Sequence, residues 1–380
     1  MIGALLLSLG ALAPLQDADA REVGRAEARV ALDSALSWLL ENQNEDGSWG
    51  LPLPCHGEDD GFAYFAYHGY REGAHGVVLR ALLLAPETPE RRAALERGLR
   101  WTLTKEITPR GDDWDVDGTW GVVYSFDAIA HAALDPRFAG EDWQAAFRER
   151  AEVLLTELAR RQTLEGGWAY YDDPPFTEKP TWATSFTTAL LLPALRSAKE
   201  DLAWPVPEGM LERAVKAIRG CALPNGAYTY DISVRPEGYG LEDINQPGGS
   251  LCRIQVCNWA LAKCGVGWAT SERLREGLGL LFRLHTWLDL ARLEPVPHHK
   301  YYANSGYFYF FGHAYAAEVI ELLPAPEREG WHRKLRGEVI RTQAADGSTS
   351  DFLSGHYLEA SSTGFSAWIL ARGLAEEAGS

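Results

Sequence analysis

Residues 39–50 read LLENQNEDGSWG. The apolar pattern of a helix runs up to Leu40, a glutamine follows at Gln43, and Asp46-Gly47 breaks the run. Trp49 then stands where a surface turn is usually polar. A glycine just past a helix adopts the left-handed conformation that ends it. An amide side chain there can satisfy carbonyls left without an intrahelical donor. A tryptophan after the turn is expected to pack against a neighbouring unit and bury a large area. The device reads as structural, with no chemistry of its own.

It recurs. Residues 154–170 read LLTELARRQTLEGGWAY and 336–348 read RGEVIRTQAADGS, with weaker copies in AIRGCALPNGAYTY (217–230) and DVDGTWGVVY (115–124). YYANSGYFYF (301–310) keeps only the Asn-x-Gly turn and the aromatics. The expected turn glycines are Gly47, Gly118, Gly166, Gly226, Gly306 and Gly347. Six related units imply a repeat architecture. Before the turn, Leu32, Ala35, Leu36, Leu39 and Leu40 share one helical face, as do Phe147, Ala151, Leu154, Leu155 and Leu158. After the turn comes a helix apolar almost all round, such as AHGVVLRALLLA or FSAWILARGLA. Such a helix is buried. Six pairs that each bury their second helix predict an all-α, double-walled ring, an (α/α)6 toroid spanning residues 21–380. An open solenoid would need polar caps at both ends.

The net charge of −17, without a basic run, excludes charge-driven binding to nucleic acid or to an anionic membrane surface. The apolar stretch 2–13 is too short to span a bilayer, and no later run reaches eighteen apolar residues. With Ala18 and Ala20 before Arg21, residues 1–20 read as a secretory signal peptide and place the protein outside the cytoplasm. A cytoplasmic protein with an apolar leader is the alternative. The five cysteines (55, 221, 252, 257, 264) form no zinc-ligand spacing and read as small buried hydrophobes. Composition leaves the oligomeric state open.

QNEDGSWG, QTLEGGWAY and QAADGS resemble the QW repeats of squalene–hopene and oxidosqualene cyclases. The same toroid occurs in protein prenyltransferase β subunits and in complement thioester domains. The resemblance covers about residues 25–377. It implies an apolar central cavity, an apolar small-molecule or lipid partner, and a reaction opened by the middle acid of a D-x-D-D motif. Asp115-Val-Asp117 matches D-x-D, with Gly118 where the second aspartate would stand, which makes Asp115 and Asp117 the candidate acids. The prenyltransferase zinc ligands are unmatched, since the fifth unit has no Asp-x-Cys, and the thioester motif stops after Gly220-Cys221. No cofactor and no metal are expected.

Polar residues on the buried helices are the other signal. Tyr124, Asp127 and His131 lie on one helical face. A buried aspartate is costly unless paired, so Asp127 and His131 read either as an acid/base pair facing the cavity or as a core pair bridging two helices. His75, Arg253 and His313, near the starts of inner helices, are candidate cavity residues with Tyr124. The segment from Cys55 to His75 holds every type of metal ligand, but at no standard spacing, and adjacent His298 and His299 are poorly placed to share a metal. Three functions follow as expectations: a terpenoid-handling enzyme, a non-catalytic exported toroid binding a lipid, peptide or glycan, or a carbohydrate-active enzyme using Asp127 and Glu359 as paired carboxylates.

Overall fold

The structure is a computed structural model that describes residues 21–51, 64–108, 118–170, 182–232, 243–294, 297–299, 301–352 and 358–375. The leader, Asp115, Asp117, Cys55 and most of the loop after it lie outside the described residues.

Six helices form an outer wall: α1 (Arg25–Glu41), α3 (Pro89–Thr104), α5 (Glu141–Arg161), α7 (Met210–Cys221), α9 (Ser271–Arg283) and α12 (Ala325–Ile340). Six form the inner wall: α2 (Tyr64–Leu84), α4 (Thr119–Ala133), α6 (Ser185–Glu200), α8 (Leu251–Lys263), α11 (Phe308–Ile320) and α13 (Glu359–Leu374). Each inner helix packs on the next, and α13 returns to α2, so the ring is closed. Each outer helix rests on the inner helix preceding it in this circle, with α1 on α13. Closure is sealed near the ends of the chain. The Val23 N–H donates to the Arg333 carbonyl at 3.0 Å, and the Arg25 guanidinium donates to the Leu374 carbonyl at 2.7 Å. The protein is therefore an all-α (α/α)6 toroid, and the open solenoid is excluded.

The sequence pattern explains both walls. On α1 and α5 the buried residues include Leu32, Ala35, Leu36 and Leu39, and Phe147, Ala151, Leu154, Leu155 and Leu158. Every residue of α11 is buried, and on α13 all but Glu359 and Arg372 are. A short helix α10 (Thr286–Ala291) interrupts the fifth pair, and a two-residue antiparallel ladder joins β1 (Ala183–Thr184) to β2 (Asp231–Ile232). Periodicity announces neither.

Three of the turns share one geometry. The Gln43 amide donates to the Gly47 carbonyl and also to Ala94 in the next outer helix. Gln162 does the same with Gly166 and Met210, and Gln343 with Gly347 and Ala31. The amide thus closes its own turn and satisfies a carbonyl in the first turns of the neighbouring helix. Trp49 and Trp168 are fully buried, and their indole N–H groups donate to the carbonyls of Leu39 and Leu158 in the helices they follow. Gly118 and Gly306 depart from the expectation. Gly118 has φ −93° and caps α4, and only Gly47, Gly166, Gly226 and Gly347 of the six have positive φ.

Gly166 is doubly constrained. Its φ is +101°, and a Cβ there would sit 2.7 Å from the Arg213 carbonyl oxygen. Gly166→Ala is expected to cost about 2–3 kcal/mol, as left-handed strain and overpacking add. Gly220 is the control, because it lies in α7 with open space around its Cβ position. Gly220→Ala is expected to stabilise by about 0.5–1 kcal/mol. Thermal or urea denaturation of the two variants checks the pair of opposite signs.

Candidate functional site

At one end of the inner ring lies a cavity of about 270 Å³. Of the seventeen described residues that line it, nine are Phe, Tyr or Trp, and among them Asp351 alone carries a carboxyl group. The aromatic wall is built by the inner helices. Trp120 and Tyr124 from α4 stack at 5.7 Å between ring centroids, and Tyr170 stacks on Trp120 at 5.8 Å. Phe186 from α6 meets Phe308 from α11 edge to face at 5.0 Å, and Phe365 from α13 meets Tyr124 at 6.4 Å. Offset and edge-on rings in this range present both π faces and polarised edges to whatever lies between them.

Asp351 follows the sixth turn. Its carboxylate accepts from the Phe310 N–H at 3.1 Å and from the Ser362 hydroxyl at 3.0 Å, and its own N–H donates to Ser362. Arg292, just after α10, holds the backbone by donating to the carbonyls of Ser350 and Asp351. Burial is the largest influence on the carboxyl group and pushes its pKa up to about 7, against the lowering effect of both hydrogen bonds and of Arg292. The group therefore keeps its proton in a sizeable fraction of molecules near neutrality and could release it into an aromatic space.

His298 also lines the cavity. Its Nδ1–H donates to the Ala303 carbonyl at 2.6 Å, since a carbonyl only accepts, and its Nε2 accepts from the Tyr307 hydroxyl at 2.5 Å. Burial first, and Arg253 after it, lower its pKa below the usual imidazole value. His298 and Tyr307 both line the cavity, so a base and the acid share one space.

The sequence candidates are distributed differently from expectation. Of the four predicted cavity residues, Tyr124 alone lines the cavity among the described residues. His75 is fully buried, where it accepts from the Trp49 N–H at 3.3 Å and bonds Thr102 and Gly98 through Nε2. Arg253 donates to the backbone carbonyls of Tyr228 and Ile244. His313 pairs with His285. In each case an inner-helix polar group is consumed by a partner in the wall.

Asp127 and His131 likewise belong to the wall and not to the cavity lining. Asp127 is 2% exposed and lies 3.0 Å from the Arg80 Nε. His131 donates from Nδ1 to the Asp127 carbonyl at 2.8 Å, with the carboxylate farther away at 3.4 Å. Burial raises Asp127 to about 6 despite Arg80. Beyond Arg80, Glu318 accepts from Trp368 and Arg372, completing a buried charge cluster across α2, α4, α11 and α13. Glu359, the other carboxylate of the carbohydrate reading, starts α13 and does not line the cavity. Cys221, Cys252 and Cys257 are buried free thiols, as expected for small hydrophobes, and Cys264 is partly buried.

Sequence reasoning passed over Asp351, although a signal was present. Counting four residues on from the turn glycines Gly47, Gly166, Gly226 and Gly347 gives Leu51, Tyr170, Tyr230 and Asp351. Tyr170 and Asp351 both line the cavity. An acid in a register otherwise held by apolar or aromatic residues marks the position.

No family model matches the chain, and no curated protein matches it in sequence. Solved structures do resemble it in fold. It is similar to a variant of type II terpene cyclase MstE from Scytonema in complex with geranylgeranyl dihydroxybenzoate, at 14% identity and TM-score 0.53, over 92% of this chain and 99% of that one. It is equally similar to a possible GH105 family member from Klebsiella pneumoniae subsp. pneumoniae MGH 78578, at 14% identity and TM-score 0.52, over 98% and 99%. A β-1,3-1,4-glucanase from Paenibacillus sp. X4 aligns at 11% identity and TM-score 0.51, over 93% and 94%. At these identities the likeness is one of fold.

Proposed function

We propose that this toroid is an enzyme that binds an isoprenoid-like polyene in its central cavity and isomerises it by proton-initiated cyclisation. The observation that carries this reading is the aromatic cavity whose described lining holds one carboxyl group, Asp351, with its pKa raised to about 7 by burial. An alkene is a weak base, so its protonation needs a positioned acid and an environment without competing water. Asp351 gives its proton to a terminal alkene carbon. The alkene electron pair forms the new C–H bond, and the adjacent carbon becomes cationic. Facing π systems such as Trp120, Phe186 and Phe365 stabilise that cation, while internal alkenes attack it to close rings. The Tyr307 hydroxyl, backed by His298 Nε2, removes a proton at the end. Substrate and product share one formula.

The solved complex of the Scytonema cyclase with a geranylgeranyl-bearing substrate supports this choice of chemistry. The cavity volume lies near the lower end of small-ligand pockets, roughly 300–1,000 Å³, and favours an isoprenoid shorter than squalene. The carbohydrate reading is not favoured, because Asp127 and Glu359 face no common space with the aromatic cavity.

The test is native mass spectrometry of the purified protein with organic extraction, followed by incubation with geranyl, farnesyl and geranylgeranyl compounds. A cyclic product of unchanged mass is expected. A bound polyene returned unaltered would sink the catalytic step and leave a binding protein, and a protein that takes up none would sink the reading entirely. Trp120→Ala is expected to cost about 1–2 kcal/mol of transition-state stabilisation, read as a lower kcat/KM.

A further inference from the structure

We infer that the fourth turn of the ring carries a binding site for a small free α-amino acid, on the outer wall and apart from the aromatic cavity. A second cavity, of about 130 Å³, lies there, and its lining includes Gly226, Asn258, Trp268, Arg273, Glu276 and Arg283. It arises by subtraction from the repeat. The fourth turn keeps the backbone of the third: the Gly226 N–H donates to the Leu223 carbonyl and the Leu223 N–H to the Ala227 carbonyl, as Gly166 donates to Thr163 and Thr163 to Gly167. The position held by Gln43, Gln162 and Gln343, four residues before the turn glycine, is Ala222 here. No amide therefore reaches from this turn to the next outer helix, α9. That helix also stands off. A Cβ on Gly47, Gly166 or Gly347 would press on the carbonyl oxygen of Arg97, Arg213 or Ser34 in the neighbouring outer helix, whereas one on Gly226 would meet nothing within 4 Å.

The groups around this gap lack partners. Asn258 is 4% exposed, and its Oδ1 accepts from the Tyr228 hydroxyl at 2.8 Å, while its Nδ2 finds no acceptor among the described residues. A buried amide with unused N–H groups beside a cavity marks the place of an acceptor. Arg273, Arg283 and Glu276 line the same space, yet none of the three forms an ion pair among the described residues. The Arg273 guanidinium lies 3.6 Å from the centre of the Trp268 ring, and that of Arg219 lies 3.8 Å from the same centre. At such separations two cations cannot share one face of the ring. The indole is clamped between them and holds Arg273 flat, with its in-plane N–H donors unused.

Guanidinium groups and an amide donor suit a carboxylate, which arginine binds with two parallel hydrogen bonds. A plain anion would also face Glu276 and be repelled by it. An α-amino acid offers its carboxylate to the arginines and Asn258 and its ammonium group to Glu276, so one molecule answers the unpaired charges of both signs. A peptide end carries one of the two charges and not the other on its terminal residue. A cavity of roughly 150 Å³ admits a benzene ring, so about six non-hydrogen atoms fit, the size of glycine or alanine. The site stands whether or not Asp351 is an acid.

The test is equilibrium dialysis of the full chain with radiolabelled alanine, with propionate, alaninamide and inorganic phosphate as competitors. One saturable equivalent with a Kd below about 1 mM is expected. Propionate lacks the ammonium group and alaninamide the carboxylate, so each should compete about 10–100-fold less well than alanine. Arg273→Gln and Glu276→Gln should weaken alanine by a similar factor, and Glu276→Gln should at the same time improve propionate. Ala222→Gln restores the amide of the other turns across the gap and should abolish uptake. Arg100→Gln, at an outer-wall arginine that stacks on Trp143 instead, should leave it unchanged. The proposal is overturned by the absence of saturable uptake, by propionate or phosphate competing as well as alanine, or by uptake that survives Ala222→Gln in full. The competitor series on the unaltered protein decides the matter even where a variant does not fold.

Discussion

Replacing Asp351 with asparagine is expected to lower turnover of a cyclised polyene by about 10²–10⁴-fold, the usual contribution of a positioned general acid. Binding should persist, because asparagine keeps an acceptor for the Phe310 N–H and a polar neighbour for Ser362, and the aromatic wall is untouched. The pH profile carries the same information. The acid is competent while protonated, so kcat should be high below pH 7 and fall as pH rises through about 7. The stability of the fold should move with it. The carboxyl group has a folded pKa of about 7, above its unfolded value near 4. Between those values the folded state holds more protons than the unfolded one, so this group's contribution is fully present below pH 4 and is lost as pH rises through 7. The asparagine variant lacks that loss. Relative to the unaltered protein it should therefore gain stability between pH 4 and pH 8, on the order of 2–4 kcal/mol. Urea denaturation of both proteins at the two pH values measures the difference, and other titrating groups cancel in the comparison. A variant that stays fully active, or one whose relative stability is the same at both pH values, would remove Asp351 from the chemistry.

The ring was legible because each of its devices is local. A helix stripe at i, i+3 and i+4, a left-handed glycine and a glutamine one to three residues past the helix are all written within a dozen residues, and repetition multiplies the signal. The seal of the toroid follows from the same rule, since Gln343 bonds Ala31 as Gln43 bonds Ala94. The site was less legible because its chemistry depends on which of two faces of an inner helix a polar residue takes. Helix-wide burial of α4 and α11 erases that distinction in sequence: Asp127 and Tyr124 lie one turn apart, yet Tyr124 lines the cavity and Asp127 turns to Arg80. Asp351 escaped for the opposite reason. It sits on no helix, so no periodicity marks it, and only the register counted from Gly347 gives it the same repeat position as Tyr170.

Removing Arg80 should be the most destabilising single change in the inner wall. Arg80 is 2% exposed, its guanidinium stacks 4.7 Å above the Trp368 ring, and it is the cation nearest Asp127. Arg80→Met retains most of the apolar stem, so the loss is chiefly electrostatic. It leaves Asp127 as an unpaired buried carboxylate near Glu318, which acts to raise its pKa further. Breaking one partner of a buried pair costs about 3–5 kcal/mol. Adding Asp127→Asn to Arg80→Met removes the stranded charge, and the double variant should lose less than the sum of the single changes. Glu318 keeps Arg372 and Trp368 in both cases. A double-mutant cycle by urea denaturation measures the coupling, expected at about 1–3 kcal/mol. The same double variant separates the two acid assignments. Its cavity lining is intact, so a proton delivered by Asp351 should still reach the substrate once the protein is folded. A stable double variant without turnover would transfer the acid role to Asp127, and the wall of the toroid, not its aromatic cavity, would then hold the chemistry.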